Sequence, residues 1–262
     1  MKTPLNMKEM ESKFAGYVDT CLFSTTKKKE FINKLLSSGD VYIFGGVIRD
    51  FFLDSNGSMQ DHRDIDLVST GSISNIENYL LPLTIRKTRF GGYALRLEEK
   101  HIDLWELKRT WAIEHQPRFE FILDEVLPAT SFFNITAIVF SLEKKKFFYR
   151  KEFEKGIGKR TLDIVYEPNP FPELCIVKSI EYIRKYGLTI SQKLRRYILK
   201  NIERVSNKLI PIQLSHYGRV WYDEATIKQF FEVIKSQQKR QRKYARRANG
   251  QQLELEMPRK GR

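Results

Sequence analysis

Cysteine is scarce in this chain, and long apolar runs are absent. Only Cys21 and Cys175 occur among the 262 residues, too few and too far apart to predict a disulfide framework. No apolar stretch approaches the length of a membrane span, and residues 1–4 do not begin a signal peptide. No Cys/His cluster has the spacing of a zinc site, so any metal should be held by oxygen. These absences predict a cytoplasmic protein without a membrane span.

The net charge of +14 is unevenly distributed along the chain. Residues 235–262 contain ten Lys or Arg against two Glu, whereas the other 234 residues contain 36 basic and 30 acidic side chains. A basic excess favours polyanionic partners such as nucleic acid, nucleotides or an anionic membrane. A solvated tail that serves only solubility is the alternative.

Residues 41–68 contain the most informative motif of the chain. A short apolar run ends in Gly45 and Gly46, an apolar-periodic segment follows, and a second apolar run carries Asp64 and Asp66. This pattern predicts a strand, a Gly-Gly turn, a helix, a loop and a strand. The glycines allow a positive φ and a close approach of a triphosphate to peptide N–H groups. Asp64 and Asp66 are two residues apart and should face the same side of their strand.

A third carboxylate is predicted beside this pair. Three further strands are expected, and the last of them carries Asp103 between apolar neighbours, so Asp103 can face the same side as Asp64 and Asp66. Paired strands lie about 4.8 Å apart, and Mg²⁺ prefers oxygen ligands while bridging carboxylates to substrate phosphates. The three carboxylates are therefore predicted to share one metal cluster. The three strands are expected at residues 83–89, 93–97 and 102–107.

Basic side chains near these elements are candidates for binding a nucleotide. Arg49 could reach a phosphate from the helix after the Gly-Gly turn, and Asp50 could fix Arg49 or the loop. Lys108 and Arg109 follow the third of the predicted strands and, with Trp111, could hold a triphosphate or a stacked base. The alternatives are an ordinary ion pair for Arg49 and Asp50 and core packing for Trp111.

The chain changes character near residues 156–160, a glycine-rich segment predicted to be a hinge. The segment lacks the full phosphate-loop pattern. Beyond it, helical periodicity predicts three helices, and the basic C-terminal segment is predicted to be disordered without a partner. The predicted organisation is a sheet-containing head domain over 1–155, a helical neck domain over 156–234, and a flexible tail over 235–262. Upstream, helices are also predicted at 28–36 and 119–126, and a strand at 132–140.

The sequence Gly45-Gly46-Val47-Ile48-Arg49-Asp50, followed by Asp64-Ile65-Asp66-Leu67, resembles the head domain of class II CCA-adding enzymes and bacterial poly(A) polymerases. These enzymes belong to the polymerase-beta-like nucleotidyltransferases. The match covers residues 41–68, extends to Asp103, and becomes looser to about residue 190. The resemblance implies an α+β fold, with a mixed sheet and flanking helices followed by an all-helical neck. It also implies that Asp64 and Asp66 bind Mg²⁺ and that Gly45 and Gly46 lie against the triphosphate.

The chain departs from the family pattern at two places. The family's Arg-Arg-Asp-Phe-Thr-Ile-Asn-Ala-Leu stretch corresponds to residues 130–138, which lack its ribose-reading charges. Its base-selecting Glu-Asp-x-x-Arg corresponds to residues 171–175, where the Asp and Arg are missing and Lys178 is the nearby basic candidate for nucleotide binding. The length of 262 residues also leaves no room for the family's full tRNA-gripping body and tail. The metal chemistry is predicted to be retained without the known nucleotide selection.

These features predict template-independent transfer of nucleotides from an NTP or dNTP to an acceptor hydroxyl. Two Mg²⁺ ions would be held by Asp64, Asp66 and Asp103, with Asp103 also a candidate base. The acceptor is predicted to be a nucleic-acid 3′ end, most plausibly RNA, attracted by the basic tail through phosphate contacts. The residues predicted to bind the acceptor are Lys239, Arg240, Arg242, Lys243 and Tyr244.

Three other functions stay open at this point. The enzyme could make a short oligonucleotide de novo, as a signal or primed on a protein hydroxyl such as that of Tyr244. It could instead transfer one nucleotide to a protein. The non-enzymatic alternative is an RNA-binding protein whose transferase site has decayed.

Overall fold

The computed structural model describes residues 6–54, 62, 64–88, 92–115 and 123–256, without the side chains of 123–125 and 241–256. The chain divides into two compact units. The sheet unit comprises Met1–Asn169 and Tyr186–Thr189, and the helical unit comprises Pro170–Lys185 and Ile190–Arg262. This division near residue 170 differs from the boundary predicted at residue 156.

The sheet unit alternates helices with strands. Its helices are α1 (Met7–Tyr17), α2 (Thr26–Leu36), α3 (Gly46–Leu53), α4 (Glu77–Leu80), α5 (Trp111–His115), α6 (Leu123–Ala129) and α7 (Lys151–Lys159). Its strands are β1 (Val41–Phe44), β2 (Asp64–Ser69), β3 (Thr84–Lys87), β4 (Tyr93–Leu97), β5 (Lys100–Glu106), β6 (Ile138–Ser141), β7 (Lys146–Tyr149) and β8 (Thr161–Leu162). The predicted strand, Gly-Gly turn, helix and strand over 41–68 are confirmed as β1, α3 and β2.

Seven of these strands form one mixed sheet in the order β3-β4-β5-β2-β1-β6-β7. Strands β2 and β5 are parallel, and the other neighbouring pairs are antiparallel. Side chains from α1, α2 and α3 join inward-facing strand residues in the main core, among them Phe14, Phe31, Ile48, Ile43, Leu67 and Phe140. The opposite face carries a smaller apolar cluster that contains Tyr42, Val68, Leu127 and Val139. The predicted mixed sheet with flanking helices is confirmed.

The helical unit follows with α8 (Pro172–Tyr186), α9 (Gln192–Val205), α10 (Leu209–Tyr217) and α11 (Glu224–Glu256), and with the short strand β9 (Thr189–Ile190). Ser191 caps α9 because its hydroxyl accepts a hydrogen bond from the N–H of Leu194. Helix α10 was not predicted, since its apolar residues lack a helical period and Pro211 interrupts them. That proline lies in the first turn, where a missing N–H costs little.

Three predicted elements differ from the structure. The glycine-rich segment predicted as a hinge is the end of helix α7, and the tail predicted to be flexible continues α11 to Glu256. The strand predicted over 132–140 is instead a short 3₁₀ turn, Asn134–Thr136, followed by β6. The helix predicted over 119–126 corresponds in part to α6, and residues 116–122 lie outside the described residues.

Contacts of the Asn134 side chain account for both the turn at Asn134–Thr136 and the glycine at position 156 in α7. Its buried side chain donates to the carbonyl of Thr161 at 2.8 Å and accepts from the N–H of Asp163 at 2.9 Å, which ties the turn to the segment after α7. A Cβ on Gly156 would lie only 2.2 Å from Nδ2 of Asn134. Gly156 therefore serves a close approach between α7 and the turn, a role that its sequence context alone does not distinguish from flexibility.

The search for membrane-spanning helices gives a negative result. Among the described residues, no helix combines the length and the apolar character needed to cross a bilayer.

Candidate active site

The Gly-Gly turn brings the start of α3 against β2. Gly45 caps α3 with φ of 80°, a backbone region that L side chains rarely adopt. A Cβ at Gly45 would lie 2.6 Å from Oδ2 of Asp66, so the carboxylate occupies the space that a side chain would need. A Cβ at Gly46 would lie 3.3 Å from Nη2 of Arg49. The two glycines thus allow both charged groups to approach the helix start closely.

Strand register brings the three predicted carboxylates onto one face of the sheet. On the parallel neighbours β2 and β5, Asp66 is opposite Asp103 and Asp64 is opposite His101. Residues paired across neighbouring strands point to the same face, and so do residues two apart on one strand. Asp64, Asp66 and Asp103 therefore share the face that is not buried in the main core. We call it the acidic face.

Charges of both signs act on Asp103. Burial is the largest influence and raises the pKa of Asp103, Arg86 lowers it, Asp64 raises it, and His101 lowers it. Arg86 on β3 pairs with Ala94 on β4, which pairs with Asp103 on β5, so the three residues form one row on the acidic face.

Exposed Arg86 was missed by the sequence analysis. Because side chains alternate along a strand, the sequence restricts Arg86 to one of the two faces of the sheet. Only the pairing of β3 with β4 and of β4 with β5 shows that Arg86 lies on the acidic face.

The side chain of Asp64 is more exposed than those of Asp66 and Asp103. Its side chain is 90% exposed, and its Oδ1 lies 3.7 Å from Nδ1 of His101. Within the described ranges, no three His, Cys, Asp or Glu side chains lie close enough together to form a ready-made metal site. The backbone therefore aligns the three carboxylates on one face, although their side chains do not form a ready-made metal site in this structure.

Arg49, Asp50 and Tyr186 form a buried hydrogen-bonded network beside the glycine turn. Nη2 of Arg49 lies 2.7 Å from Oδ1 of Asp50, and Nε of Arg49 donates to the Tyr186 hydroxyl at 2.9 Å. The Tyr186 hydroxyl in turn donates to Asp50, and burial raises the pKa of that hydroxyl far above its usual range. Arg49 is only 9% exposed, so the pair is not the surface ion pair that was the alternative. A phosphate contact by Arg49 and the role of Asp50 remain predictions.

The end of β5 presents basic and aromatic side chains. Lys108 and Arg109 are exposed, and Nε of Arg109 pairs with Oε2 of Glu106 at 3.1 Å. Trp105 is half-buried and lies on the acidic face, two residues after Asp103. Trp105 was not among the predicted site residues, although alternation along its strand places it on the same face as Asp103.

The remaining predicted residues lie in the helical unit. Lys178 is half-buried on α8, and Lys239 and Arg240 are exposed on α11. The side chains of Arg242, Lys243 and Tyr244 lie outside the described residues, although their backbone belongs to α11. Their predicted contacts with an acceptor remain predictions.

The fold of this chain is similar to that of several solved structures. No protein-family model matches it, and no curated protein matches its sequence. Solved structures of CCA-adding and tRNA-processing enzymes do match in fold, at 14–18% sequence identity. The chain therefore has an α+β fold similar to the head domains of CCA-adding enzymes, with a mixed sheet, flanking helices and a helical region after them.

Three of these structures illustrate the extent of the similarity. A CCA-adding enzyme in complex with CTP has a TM-score of 0.55 and 16% identity, covering 84% of this chain and 55% of that enzyme. An apo tRNA-processing enzyme has a TM-score of 0.54 and 15% identity, covering 90% and 58%. The Thermotoga maritima CCA-adding enzyme complexed with tRNA has a TM-score of 0.51 and 16% identity, covering 78% and 47%. The chain thus spans about half the length of these enzymes.

Proposed function

We propose that this protein is a nucleotidyltransferase that moves nucleotides from an NTP or dNTP to an acceptor hydroxyl without a template. The observation that carries the proposal is the direct pairing of Asp66 with Asp103 across β2 and β5, with Asp64 on the same face. The glycine turn beside Asp66 adds a helix start at which a triphosphate could bind.

In the proposed reaction, the acceptor hydroxyl oxygen forms a bond to the α-phosphorus of the triphosphate. The bond from that phosphorus to the bridging oxygen of the β-phosphate breaks, and pyrophosphate leaves. The hydroxyl proton passes to a carboxylate of the acidic face, with Asp103 as the candidate base. The exposed side chains of Arg86, Lys108 and Arg109 are available to balance phosphate charge at this face.

The donor set fits a hard divalent cation. Asp64, Asp66 and Asp103 offer only oxygen ligands on one face, as Mg²⁺ prefers, and two ions are part of the proposal. When bound there, magnesium would lower the pKa of the acceptor hydroxyl and stabilise the negative charge of the leaving pyrophosphate. In the present side-chain arrangement, Arg86 and, to a smaller extent, His101 lower the pKa of Asp103.

The nucleic-acid acceptor is supported by charge and by the solved structures of similar fold. CCA-adding enzymes of this fold have been solved with CTP, with ATP and with tRNA. The basic residues Lys239 and Arg240 are exposed on α11, where they can contact phosphates. An RNA 3′ end is therefore the acceptor that we propose.

Incubation with labelled NTPs and dNTPs, Mg²⁺ and a short RNA tests the proposal. We expect label on the RNA with the wild-type chain, no transfer in the presence of EDTA, and almost none with Asp66→Asn. Label in free short oligomers would instead support oligonucleotide synthesis, and label on the chain itself would support transfer to protein. RNA binding without label on any product would leave the decayed RNA-binding protein as the explanation.

Asp19→Asn is a matched control for this assay. Asp19 is an exposed carboxylate that pairs with Lys145 at 3.5 Å, and its segment, Val18–Leu22, packs into the main core on the other side of the sheet. If Asp66→Asn retained wild-type transfer while Asp19→Asn did too, the acidic face would not be the catalytic site.

A further inference from the structure

The loop between α10 and α11 presents an aromatic ring to solvent. Of the chain's three tryptophans, all of which the structure describes, only Trp221 is mostly exposed, at 55%. The guanidinium carbon of Arg219 lies over its ring, 3.6 Å from the ring centroid. We call Arg219 and Trp221 the stacking pair. The pair presents a flat aromatic ring and a guanidinium together at the surface.

Hydrogen bonds from the side chain of Gln213 hold the backbone of this loop in place. Gln213 is fully buried on α10, and its side-chain amide donates hydrogen bonds to the carbonyls of Leu209 and Tyr222, each at 3.0 Å. Its amide oxygen accepts hydrogen bonds from the N–H groups of Trp221 and Tyr222, at 3.0 and 2.8 Å. All four hydrogen-bonding positions of the amide are therefore used, three of them to fix the backbone of residues 221–222 and one to bond back to Leu209 on α10.

Both ends of the loop are also fixed. Gly218 ends α10 in the left-handed region with φ of 69°, and its N–H donates to the carbonyl of Leu214. Asp223 caps α11, since its carboxylate accepts from the N–H of Thr226 at 2.8 Å. The ring of Trp221 is thus exposed on a loop whose backbone is ordered in advance, which lowers the entropic cost of binding.

The net charge of the helical unit favours an anionic ligand. Residues 170–185 and 190–262 contain 21 Lys or Arg against 8 Asp or Glu, a net charge of +13. In the part of the chain that the structure describes, Arg219 has no carboxylate within ion-pair distance, and its recorded contact is the indole. A flat ring and an unpaired guanidinium, in a unit of net positive charge, together match a base with its phosphate, because bases stack on aromatic rings and arginine planes.

We propose that the stacking pair binds an unpaired base of a single-stranded nucleic acid, the acceptor strand of the proposed transfer reaction. This inference rests on the proposed function for the identity of the strand, but base binding itself requires no transfer. Trp221 supplies the ring on which the base stacks, and Arg219 adds a positive charge to the stack and can reach the adjoining phosphate. Every base has a face that can stack, so the site recognises single-stranded character rather than sequence.

Binding of labelled oligoribonucleotides to the full chain tests the inference, measured by fluorescence anisotropy without NTP and with EDTA. The probe is a single strand of about a dozen nucleotides, within the range that such sites cover, and a second strand of equal length carries abasic residues. We expect Trp221→Ala to weaken binding of the first strand by about 5- to 150-fold. Binding of the abasic strand should be unchanged, because it keeps its phosphates but has nothing to stack.

Three variants complete the experiment. Trp221→Phe keeps a ring and should retain most of the affinity, and Arg219→Gln should weaken binding about 2- to 5-fold. Leu214→Ala is the matched control, because Leu214 is 52% exposed on the preceding helix but cannot stack, and it should bind as the wild type does. Unchanged thermal melting would confirm that each variant is folded, as expected for side chains that are exposed.

Each contrary result has a distinct meaning. Wild-type affinity of Trp221→Ala, or an equal loss on the abasic strand, would overturn the inference. An equal loss with Leu214→Ala would also overturn it, because the loss of affinity would then not depend on stacking. If transfer fails but binding depends on Trp221, the proposed function is wrong and the binding site is supported. If transfer occurs but Trp221→Ala binds as the wild type does, the proposed function is supported and the binding site is wrong.

Discussion

The two units differ most in charge. The sheet unit contains 25 Lys or Arg and 24 Asp or Glu, a net charge of +1, whereas the helical unit contains 21 and 8, a net charge of +13. Almost the whole excess of the chain therefore lies in the unit without the acidic face. The sheet unit balances its charges locally, as in the Arg49–Asp50 pair and the row of Arg86 beside Asp103.

The difference separates two requirements of the proposed reaction. Chemistry needs a few charges held at fixed positions, which the paired strands of the sheet supply. Attraction of a long polyanion needs many positive charges, whose exact positions matter less. On this view, substitutions in the sheet unit should change transfer, and substitutions in the helical unit should change binding and its salt dependence.

We expect the largest effect from Asp103→Asn. Loss of one charge from the acidic face should lower the rate of nucleotide transfer roughly 100- to 1,000-fold, the range for removal of one transition-state group. RNA affinity without NTP should stay within about twofold of wild type, because the phosphate-binding charge lies in the other unit. Rates come from single-turnover assays and affinities from anisotropy. A parallel loss of both would break the division between the units.

Gly156→Ala should destabilise the sheet unit, whereas Gly158→Ala should not. A Cβ at Gly156 would overlap Nδ2 of Asn134, and such overpacking costs about 1 to 3 kcal/mol. A Cβ at Gly158, on the same helix, has no neighbour within 4 Å, so alanine there should stabilise the helix by about 0.5 to 1 kcal/mol. Urea unfolding measures both. Equal effects at the two positions would support the hinge interpretation of this segment.

The double variant Lys239→Gln, Arg240→Gln should reduce the salt dependence of RNA binding. If each side chain contacts one phosphate, the slope of log affinity against log salt should become shallower by about 1.4 for a single strand. The double variant Lys27→Gln, Lys34→Gln removes two exposed charges from the sheet unit and should leave the slope unchanged. A similar change in both would mean that net charge alone attracts the RNA.

Tyr186→Phe should have the smallest effect. It removes a hydroxyl that accepts from Arg49 and donates to Asp50, but it leaves that ion pair in place. We expect a loss of about 1 kcal/mol in the free energy of unfolding, typical of one hydrogen-bonded hydroxyl. Urea unfolding provides the value. A loss above about 3 kcal/mol would indicate that Arg49 and Asp50 become unpaired without the hydroxyl.

Local patterns accounted for much of the fold. The strand, turn, helix and strand over 41–68 follow from apolar periodicity and two glycines, and Ser191 marks the start of α9. The predictions failed where the role of a residue depends on its contact with a residue that is distant in the sequence. Gly156 was interpreted as flexible because its contact with Asn134 joins positions 22 apart in the sequence. A separate failure, helix α10, arose because its apolar residues lack a helical period and Pro211 interrupts them.

The sequence alone determined that Asp64 and Asp66 share a face, because side chains on a strand alternate with a period of two. It also determined where the positive charge is concentrated, since charge is a property of composition. Only the tertiary structure decided that β5 lies parallel to β2 with Asp103 opposite Asp66, and that Arg86 joins the same row. Register between distant strands depends on how their apolar faces pack together in the core, and no local pattern contains that information.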